Sequence, residues 1–218
     1  MSIFSEIQQL FPDNSLQEIA KELNYPESTI CVLSGNEQEV SSKYPEIYNV
    51  ILRCTHLRDS RTPFQYAMDL AASWVMEDYI IKQLCSNGLD VSRAGEDRER
   101  EFLSGKRVSS NSDCLIEYNG VQRKLELMND YGGYWNKNNK VDLRDNKFDK
   151  LQKEKSLFLG VSTSDKKYLL LNFAKEIDAE YKYNYAYHKP SYSIKITPDM
   201  LGDLDYSAVA DAIKKELA

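Results

Sequence analysis

Residues 109–135, SSNSDCLIEYNGVQRKLELMNDYGGYW, constrain this chain more than any other stretch. Residues 113–118 alternate apolar and polar side chains and run into Asn119-Gly120. That dipeptide favours positive φ at both central positions of a two-residue turn, so a second strand over residues 121–129 completes a β-hairpin. Side chains alternate faces along a strand. Lys124, Glu126 and Met128 therefore share one face, and Arg123, Leu125 and Leu127 share the other. Asp113 opens the first strand and Glu126 sits in the middle of the second. An acid with a Lys beside it makes a poor core and a reasonable site for a hard divalent cation.

Charge becomes informative once it is divided along the chain. The net charge of −6 argues against a polyanionic partner, yet residues 105–167 hold 13 Lys and Arg against 9 Asp and Glu. The basic third contains the carboxylate hairpin, and a local basic surface matters more to a polyanion than the global sum. Lys-rich solvated helix faces would give the same count. Four separated cysteines (Cys31, Cys54, Cys85, Cys114) and two histidines (His56, His188) offer no zinc spacing. They read as reduced core thiols of a cytoplasmic protein. No apolar run approaches membrane-spanning length, so no membrane partner is expected.

Along the chain, residues 1–61 read as small helices. Ser15 with Glu18 has capping-box spacing over residues 15–24, and Ile47, Val50, Ile51 and Cys54 recur at helical spacing. Residues 58–61 make a polar break. A long helix is expected from Thr62 as N-cap and Pro63 at the first position to Cys85, with Asn87-Gly88 as its stop. Glu77 lies at or beside its apolar stripe, where a carboxylate is costly unless paired or bound to a cation; alternatively, adjacent Asp78 is the inward acid. The run GEDREREF (residues 95–102) reads as a solvated turn or loop. After the hairpin, residues 130–140 form a Gly- and Asn-rich loop with Tyr131, Tyr134 and Trp135, which either stack on a substrate or lid the core. Residues 141–155 read as a helix with Leu143, Phe148 and Leu151 inward. Residues 156–163 and 167–173 read as buried strands. Tyr181, Tyr183, Tyr185 and Tyr187 alternate on a further strand, to meet nucleic acid or to cover a sheet edge, and a helix over residues 207–217 closes the chain. The expected fold is α/β, a mixed central sheet flanked by helices over residues 62–218, with the N-terminal helical part before it.

Glu77 on a long helix, Asp113 opening one strand and Glu126 within the next resemble, in order and spacing, the PD-(D/E)xK nuclease superfamily, and most of all its type II restriction endonuclease branch. The resemblance covers about residues 62–173. It implies Asp113 and Glu126 as the two motif acids and metal ligands, Mg²⁺ as cofactor and Glu77 as an added helix carboxylate. Ser112 stands where the motif has Pro, and Met128 where it has Lys. Two explanations for Met128 stay open. Lys124, or Lys147 or Lys150 of the following helix, supplies the charge, or the domain binds nucleic acid without cutting it.

The implied activity is sequence-specific hydrolysis of double-stranded DNA by a homodimer, since twofold DNA sites match twofold protein symmetry. Asp113, Glu126, Lys124 and Glu77 are then the expected catalytic residues. Tyr131, Tyr134, Trp135, Lys137, Lys140, Arg144 and Lys147 are the expected DNA contacts.

Overall fold

The computed structural model describes residues 3–11, 14–53, 61–95, 98–102, 112–185 and 188–218. Cys54, His56, Tyr187 and the first residues of the hairpin stretch lie outside these. The chain divides into two compact units, residues 1–80 with 96–109, and residues 81–95 with 110–218. The division falls inside the long helix rather than ahead of it.

The first unit is helical: α1 (Ile3–Gln8), α2 (Leu16–Glu22), α3 (Glu27–Val32), α4 (Glu37–Lys43), α5 (Pro45–Leu52) and α6 (Pro63–Ser86) up to Ile80. Local chemistry sets the ends. Ser15 and Glu18 form the expected capping box at α2. Thr62 and Gln65 do the same for α6, with Gln65 N–H donating to Thr62 Oγ1 at 3.2 Å and Thr62 N–H to Gln65 Oε1 at 2.9 Å. Val32, Val40, Ile51, Phe64 and Ala67 cluster beneath them. In the charged run Arg98, Glu99 and Glu101 are exposed as expected, and Arg100 departs from that face. Arg100 is buried, its guanidinium 2.8 Å from Asp78 and 3.0 Å from Glu77.

The second unit is the mixed sheet flanked by helices. Its six-stranded sheet runs β1 (Asp90–Arg93), β2 (Cys114–Tyr118), β3 (Val121–Asp130), β5 (Leu157–Ser162), β6 (Lys167–Asn172), β9 (Leu201–Asp203). Only the β3–β5 pairing in it is parallel. Parallel neighbours need a crossover. Here it comprises α7 (Tyr134–Asn138), β4 (Lys140–Arg144) and α8 (Asp145–Glu154). β4 joins β8 (Lys189–Lys195) and β7 (Ala179–Asn184) in a separate antiparallel sheet, order β4-β8-β7. Residues 140–144 are thus strand, where the sequence reads as helix from residue 141. Val141 and Leu143 are buried as alternate residues of that strand, opposite Ile194 and Tyr192.

The hairpin turn is as expected. Asn119 and Gly120 have φ of 51° and 78°, and Tyr118 pairs with Val121 across them. β5 is buried at every position, as a strand covered on both faces must be. On one face Phe158 packs with Phe148 and Leu151 of α8. On the other, α9 (Tyr206–Leu217) reaches the sheet through Glu216, which accepts from Asn172, itself bound to Arg123 of β3.

Candidate active site

The β2–β3 register fixes the two motif acids. Cys114 pairs with Leu125, so one step further along the antiparallel ladder sets Asp113 opposite Glu126. Asp113 is pinned at both ends. Its backbone carbonyl accepts from Ala94 N–H at 2.8 Å and Gly95 N–H at 3.3 Å. Its Oδ2 accepts from Leu127 N–H at 2.8 Å. Glu126 is in register with Phe158 and shares its face, the one α8 covers.

A cation arrives from that helix. Lys147, one residue before core Phe148 in the first turn of α8, ion-pairs through Nζ with Glu126 Oε1. Lys124, on the expected strand face, instead pairs with Glu154 at 2.7 Å, and Ser112 Oγ donates to the same carboxylate at 3.4 Å. Met128 fills the motif-lysine position and packs its side chain against the cluster of Trp135, Phe148 and Phe158. Of the lysines the sequence left open, α8 brings Lys147 to the acid.

Glu126 meets the Asp113 carboxylate as well as the Lys147 ammonium. Glu126 is only 6% exposed, and its Oε2 is buried with no hydrogen-bond partner among the described residues. Burial, and then the neighbouring Asp113 carboxylate, push the Glu126 pKa up to about 8, although Lys147 pulls the other way. Without a further cation the site therefore holds a proton at neutral pH. The donors present fit a hard divalent ion. Mg²⁺ takes one or two carboxylates and keeps its other positions for water and phosphate. Among the described residues there is no group of three or more His, Cys, Asp or Glu that could hold a metal ion.

The remaining expected residues fall elsewhere. Glu77 is an ion-pair partner of Arg100 in the first unit, where Asp78 is the inward acid, hydrogen-bonded to Tyr25 as well. The aromatic loop is in part the ordered helix α7, capped by the Asp130 carboxylate, which accepts from Tyr134 N–H at 3.0 Å and Trp135 N–H at 2.9 Å. Trp135 is only 3% exposed and covers Gly160, so its ring is core and is not available to a base. A Cβ at Gly160 would sit 2.4 Å from that ring. Tyr134 and Lys140 both turn to buried Asp142, each at 2.7 Å, and the ammonium lies over the Tyr134 ring. Tyr131 is half-buried, while Lys137 and Arg144 are exposed. Asp142 carried no signal in sequence, because it lay in a stretch read as helix.

No family model and no curated protein matches the chain. Among solved structures it is similar to Hjc, a Holliday junction resolvase of the archaeal hyperthermophile Archaeoglobus fulgidus. The identity is 12% and the TM-score 0.39, over 63% of this chain and 97% of that chain.

Proposed function

We propose that this chain is a divalent-cation-dependent nuclease of the PD-(D/E)xK kind, hydrolysing phosphodiesters of double-stranded DNA. The observation that carries the reading is the Lys147 ammonium on Glu126, across the strand ladder from Asp113. Two acids and one lysine then occupy the roles the motif requires, with the lysine supplied by a helix instead of by β3.

Asp113 and Glu126 would hold Mg²⁺. When bound, the ion lowers the pKa of a water and offsets charge on the scissile phosphate. The chain's own groups do the rest. Leu127 N–H fixes the orientation of the Asp113 carboxylate. Lys147, drawn to Glu126 in the free protein, presents a fixed positive charge where negative charge develops on the phosphate. Exposed Lys137 and Arg144 offer phosphate contacts that position a duplex without reading its sequence. In its finer form the reading is a type II restriction enzyme that acts as a homodimer on a twofold site.

Cleavage of mixed-sequence plasmid DNA tests this. Wild type with Mg²⁺ is expected to give discrete bands that disappear with EDTA and with Asp113→Ala. Lys147→Met should lower the rate on the order of a hundredfold or more, while Lys124→Met leaves most of it. A smear in place of bands would retain the nuclease and remove sequence specificity. Intact DNA under every condition, from folded protein, would overturn the catalytic reading and leave a domain that binds without cutting.

A further inference from the structure

The second sheet ends on a strand unlike the rest of the surface. β7 is an edge of the order β4-β8-β7, so among the described residues one row of its backbone N–H and C=O groups has no neighbouring strand. Its tyrosines are unusually open: Tyr181 is 59% exposed, Tyr183 50%, and Tyr185, just past the strand, 81%. They are also organised. Tyr181 leans on Tyr192 at 5.0 Å, Tyr192 stacks on Phe148 at 4.1 Å, and Tyr183 meets Tyr185 edge to face at 5.2 Å. The other face of the strand carries Glu180 and Lys182, both at the surface.

We propose that β7 pairs antiparallel with β7 of a second copy of this chain, about a twofold axis at Tyr181. Register decides between the ways in which the strand could pair with itself. A twofold pairing must centre on a residue, because a centre between residues would set an outward-facing backbone group against an inward-facing one and mix the two faces. Centred on Glu180 it opposes two carboxylates, and centred on Lys182 it opposes two ammonium groups. Centred on Tyr181 it sets Glu180 of each copy against Lys182 of the other, twice over. The opposite face then brings the two Tyr181 rings together and lays Ala179 beside the partner's Tyr183. Like charges directly opposite destabilise a strand pair, and opposite charges and aromatic pairs stabilise it. The strand's charges thus exclude the Glu180- and Lys182-centred registers, only the Tyr181-centred one opposes unlike charges, and its rings reinforce it.

A second copy is favoured over a single nucleic-acid strand by that charge order. β7 carries one acid and one cation on one face, Glu180 and Lys182, 3.2 Å apart within the strand, and that balanced pair suits a self-complementary partner better than a uniform row of phosphates. The pairing supplies the dimer that a twofold DNA site requires, and only there does it rest on the nuclease reading.

Sedimentation of the full-length protein over a range of concentrations, without DNA or metal, is the test. Wild type is expected to dimerise reversibly. Glu180→Lys and Lys182→Glu should each weaken the dimer by about tenfold, because each sets like charges across the axis. The double variant Glu180→Lys/Lys182→Glu restores the opposition with its sign reversed and should recover dimerisation. Circular dichroism of each variant establishes that the fold is kept. A wild type that stays monomeric overturns the pairing, as does a dimer that neither single variant weakens, or one that the double variant leaves as weak as the singles. A monomer whose DNA affinity falls with Tyr183→Ala would assign the rings to nucleic acid and likewise overturn it. Because DNA takes no part in the sedimentation, a monomer that cuts DNA and a dimer that does not are separate results.

Discussion

The buried acids of the two units differ in how they are matched. In the helical unit each has a guanidinium. Asp69 is 2.8 Å from Arg61 and accepts from Phe4 N–H at 2.9 Å. Asp78 and Glu77 share Arg100, and Tyr25 donates to Asp78 as well. Burial alone would lower the Arg100 pKa, yet the two carboxylates hold it above its ordinary value. In the sheet unit buried Asp142 is likewise matched, by Lys140 at 2.7 Å, but Glu126 is not matched in that way. Glu126, across the ladder from Asp113, takes the Lys147 ammonium on one oxygen, and its other oxygen is left buried without a hydrogen-bond partner among the described residues. Unpaired buried charge is destabilising, so a fold retains it where a ligand completes it. Matched acids hold structure; under the proposed function the mismatched Glu126 is completed by a cation.

The largest effect that tests this contrast is Arg100→Met. It removes the guanidinium from a buried acid pair, and breaking such a pair from one side costs about 3–5 kcal/mol. Chemical denaturation should read that loss at neutral pH. A cost below about 1 kcal/mol would mean that these acids are solvated and that the contrast between the units is false.

Much of this arrangement is legible in sequence, and what is not has physical causes. The hairpin and its register follow from Asn119-Gly120, whose backbone geometry only a two-residue turn satisfies. Both ends of the acid pair follow from it, because the register is a local property. Capping residues Ser15 and Thr62 mark helix starts for the same reason. Lys147 is not local. It reaches Glu126 across a crossover that contains a helix and a strand, and only the β3–β5 pairing explains why α8 covers Glu126. The one hint in sequence is its place beside Phe148 on an amphipathic helix. Arg100 sits in a run with a fully charged, solvated pattern, and only the fold supplies the two acids that bury it. Trp135 follows two glycines, which suggests a loop, yet Gly160 across the sheet leaves the space that its ring fills.

Next in size is Glu126→Gln, whose effect on stability is opposite in sign to that of Arg100→Met. The folded pKa of Glu126 is raised to about 8, against about 4.3 in the unfolded chain. Between those values the folded state binds the extra proton, so metal-free wild type loses stability as pH rises, by up to about 1.4 kcal/mol per unit. Glutamine keeps the shape without the charge. The variant should be more stable than wild type by up to about 3.6 kcal/mol at pH 7 in EDTA and indistinguishable from it near pH 4, while losing DNA cleavage. Thermal melts across that range would show it. A destabilised variant at pH 7 would place Glu126 among the matched acids.

Arg61→Met should have a smaller effect. Arg61 is about one-third exposed and Asp69 keeps the Phe4 N–H, so a loss of about 1 kcal/mol is expected, with no effect on cleavage. A loss as large as that of Arg100→Met would mean that exposure does not grade the pairs as argued.

The smallest effect is also the most specific to the mismatched pair. Mg²⁺ that binds the folded chain alone stabilises it by about 0.4 kcal/mol at a concentration equal to its Kd. Binding must displace the proton on Glu126, so affinity should climb about tenfold per pH unit up to about 8 and level off above it. The Mg²⁺-induced rise in Tm therefore grows from pH 6 to pH 8 in wild type, while the metal-free Tm falls over the same interval. Opposite slopes in one protein are hard to obtain from general salt effects, which act on both states and on both units alike. Glu126→Gln should remove both slopes, and Arg61→Met should leave both intact. An Mg²⁺ shift that does not change with pH, or that survives Glu126→Gln, would move the cation away from Asp113 and Glu126.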